Sequence, residues 1–163
     1  MNINTLLNER HSCRAFLDKP VPAETLEQIF ALAQRAPSNC NVQPWQTLVV
    51  SGAQKNVLSQ ALVHTVMQQQ APNPDFNWAI AYKNEHRERQ FGSASTLYSA
   101  MGIARENKRA RQMAMLRNWQ FFDAPHVAIF TMDKYLDIMG AVDMGIYAQS
   151  LSLIMQEHGI SNC

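Results

Sequence analysis

Residues 37–51 read Pro-Ser-Asn-Cys-Asn-Val-Gln-Pro-Trp-Gln-Thr-Leu-Val-Val-Ser, and the fold is best approached from this stretch. Its first nine residues predict a loop, because two prolines frame a run of small polar side chains that favour turns. The β-prone run within Gln46 to Ser51 predicts a short strand, which Gly52 ends. Side-chain amides on the loop can both donate and accept hydrogen bonds, which suits a flat heterocycle with carbonyls and ring nitrogens. Ordinary turn chemistry explains the same residues, so the loop alone leaves both interpretations open.

Helical patterns lie on both sides of this loop and strand. Ile3 to Glu9 predicts a short helix, and Pro22 suits the first turn of a second helix that ends before Pro37. The second helix has one apolar face, made of Leu26, Ile29, Phe30 and Ala33.

Further helices and one more strand follow towards the C-terminus. Helices are predicted over Gln54–Gln69, over Phe91–Asn118 in pieces interrupted near Gly102, and over Tyr135–His158 with Gly159 as the stop. Pro125–Thr131 predicts a buried strand. Two strands separated by about seventy-five residues of mostly helical pattern predict an α+β fold, with a central β-sheet flanked by helices.

Composition limits the classes of protein and partner. The chain has 163 residues, of which 47 % are hydrophobic, so disorder is excluded and a core can form. Its net charge of +1 gives no basic field for nucleic acid or an anionic membrane. No run reaches the roughly 18 consecutive apolar residues that a membrane span needs. The three cysteines lack metal-ligand spacing, and their odd number argues against a disulfide framework, so a reducing cytoplasm is the simplest setting. Charged residues make up only 17 % of the chain, which fits a surface that is partly covered by a second subunit.

A second polar segment, residues 10–14, reads Arg-His-Ser-Cys-Arg. Guanidinium groups bind phosphate through paired hydrogen bonds, and a serine hydroxyl adds another, so the segment suits a phosphomonoester. A solvated basic turn is the plainer interpretation of the residue types alone, because arginine is mostly exposed in proteins.

Taken together, the two segments resemble the FMN-dependent nitroreductase family. The shared pattern is an Arg-x-Ser-x-Arg segment, one amphipathic helix, and a Pro-Ser-x-x-Asn-x-Gln-Pro-Trp loop that runs into a strand. Residues 118–130 are similar to the family's Ala-Pro entry into a central strand, and residues 143–160 to its long helix and following turn. The resemblance covers essentially the whole chain and is strongest to the nitrobenzoate-reductase-like branch.

The resemblance implies a homodimer with two FMN molecules at the subunit interface. Arg10 and Ser12 would hold the FMN phosphate, and His11 would add backbone or side-chain contacts. Arg14 would lie nearer the ribityl chain and the N1/O2 edge of the flavin.

The loop would bind the same cofactor from the other subunit. By the resemblance, the residues that reach the flavin are Pro37, Ser38, Asn39 and Asn41. Gln43 is a weaker match to the family pattern and receives no role. The resemblance assigns no side chain as a covalent catalyst.

The activity implied by the resemblance is hydride transfer from NADH or NADPH, through the flavin, to a nitroaromatic, quinone or similar electrophilic acceptor. No Gly-x-Gly-x-x-Gly motif indicates a separate Rossmann site for the nicotinamide. Family members continue beyond the turn at residues 159–163 with a further strand and an arm around the partner. The expectation is therefore a single domain over residues 1–163 that lacks this part. The alternative is a non-catalytic remnant that binds flavin or dimerises, and a third possibility keeps the fold but fragments flavin or removes halogen from tyrosines.

Other chemistry-bearing residues form weaker patterns. The histidines show no metal-binding spacing, and His126 lies in a strand pattern as a satisfied core or interface residue. Cys13 or Cys40 could pair with a histidine as a nucleophile, although the sequence shows no orienting partner. Asp137 and Asp143 lie near the long helix and are predicted to cap it or to face solvent.

Overall fold

The structure is a computed structural model that describes residues 2–77 and 79–163. The chain divides into two compact units. The first unit consists of residues 2–58 and 121–163, and the second of residues 59–120. The expectation of a single domain over residues 1–163 stays a prediction.

Six α-helices and two strands are formed by the described residues. In chain order they are α1 (Ile3–Glu9), α2 (Ala23–Ala33), β1 (Gln46–Ser51), α3 (Gly52–Met67), α4 (Asn84–Ala100), α5 (Lys108–Leu116), β2 (His126–Thr131) and α6 (Asp137–Glu157). Short 3-10 turns lie at Asn39–Asn41, Phe121–Asp123 and Lys134–Leu136.

The first two helices agree with the sequence prediction. α1 has the predicted bounds, and the side chain of Asn2 caps it by accepting a 3.0 Å hydrogen bond from the Thr5 N–H. α2 begins directly after Pro22 and buries Ile29 and Ala33 from the predicted apolar face. The two helices therefore follow from local capping and periodicity.

The sheet consists of β1 and β2 in antiparallel register, from Gln46 opposite Thr131 to Ser51 opposite His126. Both strands lie within one or two residues of the predicted bounds. β2 is less buried than predicted, because residues 126–130 are half-buried and Thr131 is exposed. An antiparallel sheet can keep one face wet, which explains why an apolar run need not be fully enclosed.

The core of the first unit is aromatic and lies around α6. Tyr147 is fully buried and stacks on Trp45 with ring centroids 4.8 Å apart, and its ring is nearly perpendicular to that of Phe130 with centroids 5.5 Å apart. The Tyr147 hydroxyl lies 3.0 Å from the Thr47 hydroxyl, and the Trp45 indole N–H donates to the Gln34 side chain at 2.7 Å. Both buried aromatic polar atoms are therefore satisfied.

The second unit contains the end of α3, all of α4 and all of α5. The helical segment predicted over residues 91–118 is indeed broken near Gly102, whose φ of +64° suits a residue without a side chain. α4 begins at Asn84, seven residues before the predicted segment. The Arg111 guanidinium lies 5.1 Å from the centre of the Tyr98 ring, which ties α5 to α4.

One helical stretch, Lys134–Glu157, is long and apolar enough to cross a membrane, with a mean hydropathy of 1.3. The core helix of a soluble protein meets the same criterion. Here the inner face of α6 carries the buried Tyr147 and Leu151 together with a hydrogen-bonded carboxylate, Asp143. These contacts fit a helix packed within a protein.

Candidate functional site

The segment at residues 10–14 is attached to the chain that follows α6. Ser12 pairs with Asn162 in an isolated parallel bridge, and the Cys13 N–H donates to the Asn162 carbonyl at 3.0 Å. The Asn162 side chain in turn donates to the Ser152 carbonyl of α6 at 3.3 Å. The segment is therefore held by backbone pairing of Ser12 and Cys13, which leaves the side chains of Arg10 and Ser12 available for a ligand.

The four residues of this segment that the resemblance assigns to FMN differ in exposure. Arg10 is half-buried, whereas His11, Ser12 and Arg14 are exposed. Within residues 2–77 and 79–163, the side chain of Arg10 forms no hydrogen bond or ion pair. A half-buried guanidinium without a carboxylate partner and a neighbouring exposed hydroxyl fit an anionic oxygen donor such as a phosphate.

The loop at residues 37–45 has an unusual backbone. Cys40, Asn41 and Gln43 take positive φ angles of 49°, 56° and 50°. Asparagine tolerates this left-handed region, but the Cys and Gln side chains are disfavoured there. Each such residue costs on the order of 1 kcal/mol, so other contacts must hold the loop in place.

Two side chains supply these contacts. The Ser38 hydroxyl accepts a 2.8 Å hydrogen bond from the Gln43 N–H across the loop. The Asp143 carboxylate, on α6 and only 5 % exposed, accepts a 3.0 Å hydrogen bond from the Asn39 N–H. Since the prolines at both ends also limit the backbone, the loop is preformed and presents Asn39 and Asn41 to solvent.

α6 therefore carries both predicted segments. The loop attaches at Asp143, and the segment at residues 10–14 attaches through Asn162 to Ser152. These attachment points are nine residues apart, which is about 13.5 Å along a helix axis. One protomer thus presents the two segments at separate positions on one helix, which fits their predicted roles at flavins in two different subunits.

Asp143 and Asn162 are the residues whose role the sequence prediction missed. Asp143 was predicted to cap the helix or to face solvent, but it is buried and anchors the loop. An acidic residue in the middle of an apolar helix is the sequence signal that could have indicated this. Asn162 acts mainly through its backbone, for which the residue type carries no signal.

Both ring nitrogens of His126 have hydrogen-bond partners, as the strand pattern predicted for a core or interface histidine. Its Nε2 accepts a 2.8 Å hydrogen bond from the Val21 N–H, so its proton is on Nδ1, which donates to the Ser51 hydroxyl at 2.5 Å. Burial, and secondarily the charge of Lys55, lowers the pKa of His126 below its ordinary 6.5. Because the imidazole donates to Ser51, it cannot act as the base of a serine nucleophile in this state.

A family model described as "Nitroreductase family" matches residues 7–163. The chain belongs to the nitroreductase family. It is 40 % identical over 159 residues to nitroreductase NfnB of Mycolicibacterium smegmatis, covering 97 % of this chain and 68 % of that protein. It is 34 % identical over 169 residues to a 4-nitrobenzoate reductase of Nocardioides sp., covering 98 % of this chain and 66 % of that protein. The chain therefore spans about two thirds of the length of these two relatives.

Solved structures agree with this family assignment. The crystal structure of the FMN-dependent nitroreductase NfnB from Mycobacterium smegmatis in complex with NADPH superposes with a TM-score of 0.91 at 39 % identity, covering 97 % of this chain and 71 % of that one. The FMN and NADPH-dependent NfnB from sphigopyxis sp. strain HMH gives 0.94 at 32 % identity, covering 99 % and 73 %. The predicted nitroreductase-like α+β fold is therefore confirmed.

Proposed function

We propose that this chain is an FMN-dependent oxidoreductase that uses NADH or NADPH to reduce nitroaromatics, quinones or similar electron-poor acceptors. The relatives named nitroreductase and 4-nitrobenzoate reductase, and the neighbours titled FMN- and NADPH-dependent, support this activity. The structural observation that carries the proposal is the anchoring of both polar segments on α6 by specific hydrogen bonds.

The segment at residues 10–14 is proposed to bind the phosphate of FMN. The Arg10 guanidinium and the Ser12 hydroxyl supply donors for its oxygens, and His11 adds a backbone or side-chain contact. Arg14 is assigned to the N1/O2 edge of the flavin, where a positive charge stabilises negative charge that develops on reduction. Backbone pairing of Ser12 and Cys13 with Asn162 holds the segment without using the side chains of Arg10 and Ser12.

The loop is proposed to contact the flavin of the partner protomer through Pro37, Ser38, Asn39 and Asn41. When bound, FMN accepts hydride from the nicotinamide and delivers electrons to the acceptor, so the protein mainly binds and orients the reactants. The preformed loop lowers the entropy cost of this orientation. Donor and acceptor would use the same open flavin face in turn.

A homodimer is proposed because α6 exposes an apolar face. The exposed members of this face are Ile138, Met139, Val142 and Ile146. A second copy of the chain would cover them and would bring its own loop to the cofactor of the first. A cytoplasmic location, without nucleic acid or membrane as partner, is part of the same proposal.

Spectroscopy of the purified chain tests the proposal. FMN should bind with a visible flavin band, NADPH should bleach that band under anaerobic conditions, and 4-nitrobenzoate should restore it. The alternative, a non-catalytic remnant, would give a dimer that ignores added FMN or a bound flavin that NADPH does not bleach.

The role of Arg14 has its own test. Arg14→Ala should weaken FMN binding by about tenfold or more, because a charge-assisted hydrogen bond contributes about 1.5–3 kcal/mol. The reduction potential of the bound flavin should also fall, because the reduced anion loses a cation. Arg35→Ala, at an exposed position just after α2, is the matched control. Unchanged affinity and potential in Arg14→Ala would refute this assignment.

A further inference from the structure

Cys13 and His11 form a thiol–imidazole pair within the segment at residues 10–14. The Cys13 Sγ lies 3.4 Å from the His11 Nε2, within hydrogen-bond range for sulfur. The His11 Nδ1 lies 2.8 Å from the Glu9 carbonyl oxygen. Because a carbonyl only accepts, Nδ1 carries the proton of the neutral ring, and Nε2 is the acceptor that faces the thiol.

This arrangement has the three parts of an activated nucleophile. The thiol is the nucleophile, the imidazole is a base within reach of its proton, and the Glu9 carbonyl orients the base. Cys13 is half-buried beside the exposed His11 and Ser12, so a small reagent can approach it. The sequence allowed a cysteine–histidine pair but showed no group that orients the histidine. The backbone carbonyl of Glu9 is that group.

Among residues 2–77 and 79–163, the other two cysteines have no such base beside them. The Cys40 thiol lies 3.7 Å from the Asn39 side-chain oxygen, and an amide oxygen cannot take up the thiol proton. Cys163 is exposed at the last residue, and among the described residues it has no side-chain partner. The chain thus provides its own internal comparison for the reactivity of Cys13.

We propose that Cys13 is a site of reversible thiol–disulfide exchange with small anionic disulfides, with His11 as its base, and that the resulting mixed disulfide blocks phosphate binding at residues 10–14. The second half of this inference rests on the proposed FMN function. The guanidinium groups of Arg10 and Arg14, which flank the pair in sequence, favour a disulfide that carries carboxylates.

The exchange balances without a further reactant. The Cys13 thiol transfers its proton to the His11 Nε2, and its sulfur attacks one sulfur of the disulfide RSSR. A new Cys13–S–S–R bond forms, the old S–S bond breaks, and the released RS⁻ takes the proton back from the imidazolium. Cys13 sulfur is oxidised, the released sulfur is reduced, and the products are the mixed disulfide and RSH.

The first experiment measures thiol reactivity in the full chain, before FMN is added. Oxidised glutathione is the probe, and mass spectrometry follows modification at each cysteine. Cys13 should react faster than Cys40 and Cys163. His11→Gln should slow Cys13 by about tenfold, because glutamine cannot take up the proton that the thiol loses as it attacks.

His86→Gln, on the exposed surface of α4, is the matched control and should leave the Cys13 rate unchanged. Cystamine, a cationic disulfide, should react more slowly with Cys13 than oxidised glutathione does. The inference is overturned if Cys13 is no faster than the other cysteines, or if His11→Gln reacts like the control.

The second experiment separates this inference from the proposed FMN function. Saturating FMN should protect Cys13 from glutathionylation, while riboflavin, which lacks the phosphate, should protect less. Glutathionylated protein should in turn bind FMN less tightly, and dithiothreitol should restore binding.

If Cys13 is modified fast and this depends on His11, but FMN does not slow the modification, the proposed block of phosphate binding is overturned. If the protein binds no FMN at all but oxidised glutathione still modifies Cys13 rapidly, the proposed function is refuted while the exchange site at Cys13 is supported.

Discussion

At the scale of single residues, the loop depends on one buried carboxylate. Cys40 and Gln43 adopt left-handed backbone angles that their side chains do not favour, and Asp143 accepts a hydrogen bond from the Asn39 N–H at the start of this turn. Asp143 is 5 % exposed, so water cannot replace the carboxylate oxygen if it is removed. The loop geometry therefore depends on a residue of α6.

Asp143→Ala should reduce the free energy of unfolding by about 1–3 kcal/mol, because the Asn39 N–H loses its acceptor. Asp143→Asn keeps an oxygen at that position and should cost less. Urea denaturation measures both. Gln149→Ala, at an exposed polar residue on the same helix, is the control. A loss in Asp143→Ala no greater than in this control would contradict the anchoring role.

His126 makes stability depend on pH. Burial and Lys55 lower its pKa below 6.5, so the folded protein holds the ring neutral while the unfolded chain binds a proton more readily. The contribution of His126 to stability is therefore fully present above pH 6.5 and is lost as the pH falls below it. Protonation would also remove the Nε2 acceptor of the Val21 N–H.

His126→Gln should flatten the fall in unfolding free energy between pH 7 and pH 5, since a non-titrating side chain removes a slope of at most about 1.4 kcal/mol per pH unit. The measurement is urea denaturation at several pH values. His64→Gln, at an exposed position on α3, should keep the wild-type slope. Identical slopes in all three proteins would exclude His126 as the titrating group.

At the scale of elements, α6 organises the first unit because it packs the core and also holds both polar segments. Its inner face carries Tyr147 and Leu151 in the core together with Asp143, which anchors the loop, and the Ser152 carbonyl holds the other segment through Asn162. Close packing at its first turns requires a residue without a side chain. An added Cβ at Gly140 would lie 2.7 Å from the Met132 sulfur and 2.8 Å from the Leu136 Cβ.

Gly140→Ala should therefore lower the melting temperature, although alanine is favoured over glycine within a helix by about 1 kcal/mol. Gly92→Ala in α4 is the matched control, because an added Cβ there meets nothing within 4 Å. Thermal denaturation followed by circular dichroism should show opposite shifts for the two variants. A higher melting temperature in Gly140→Ala would mean that Met132 moves aside easily.

At the scale of the whole molecule, the apolar face of α6 is the surface that the proposed dimer needs. Ile138 is 66 % exposed and Val142 53 % exposed, although both lie on a helix whose other side is buried in the core. Since the two polar segments attach to this same helix, dimerisation through its exposed face would connect assembly to cofactor binding.

Ile138→Arg combined with Val142→Arg should convert the proposed dimer to a monomer, because the new charges would be buried in its interface without partners. Light scattering after size-exclusion chromatography measures the mass. Val57→Arg, at an exposed apolar position of α3, should leave the dimer intact. A wild-type protein that is monomeric, or a double variant that stays dimeric, would disprove the role of this face.

Local signals were sufficient for much of this molecule. The bounds of α1 and α2, the two strands and the break near Gly102 follow from periodicity, prolines and glycines, which act within a few residues. The polar residues at positions 10–14 and 37–41 were also recognisable, because phosphate and amide chemistry depends on side-chain type. Each of these features depends only on residues that are close in sequence, so it can be predicted from the sequence alone.

Folding had to bring distant residues together for the rest. Asp143 reaches the loop across more than one hundred positions, and Asn162 pairs with Ser12 at the opposite end of the chain. The proton arrangement of His11 depends on the Glu9 carbonyl, which every residue type possesses. Burial and hydrogen bonding to a shared backbone group depend on three-dimensional position, and neither residue type nor spacing encodes that position locally.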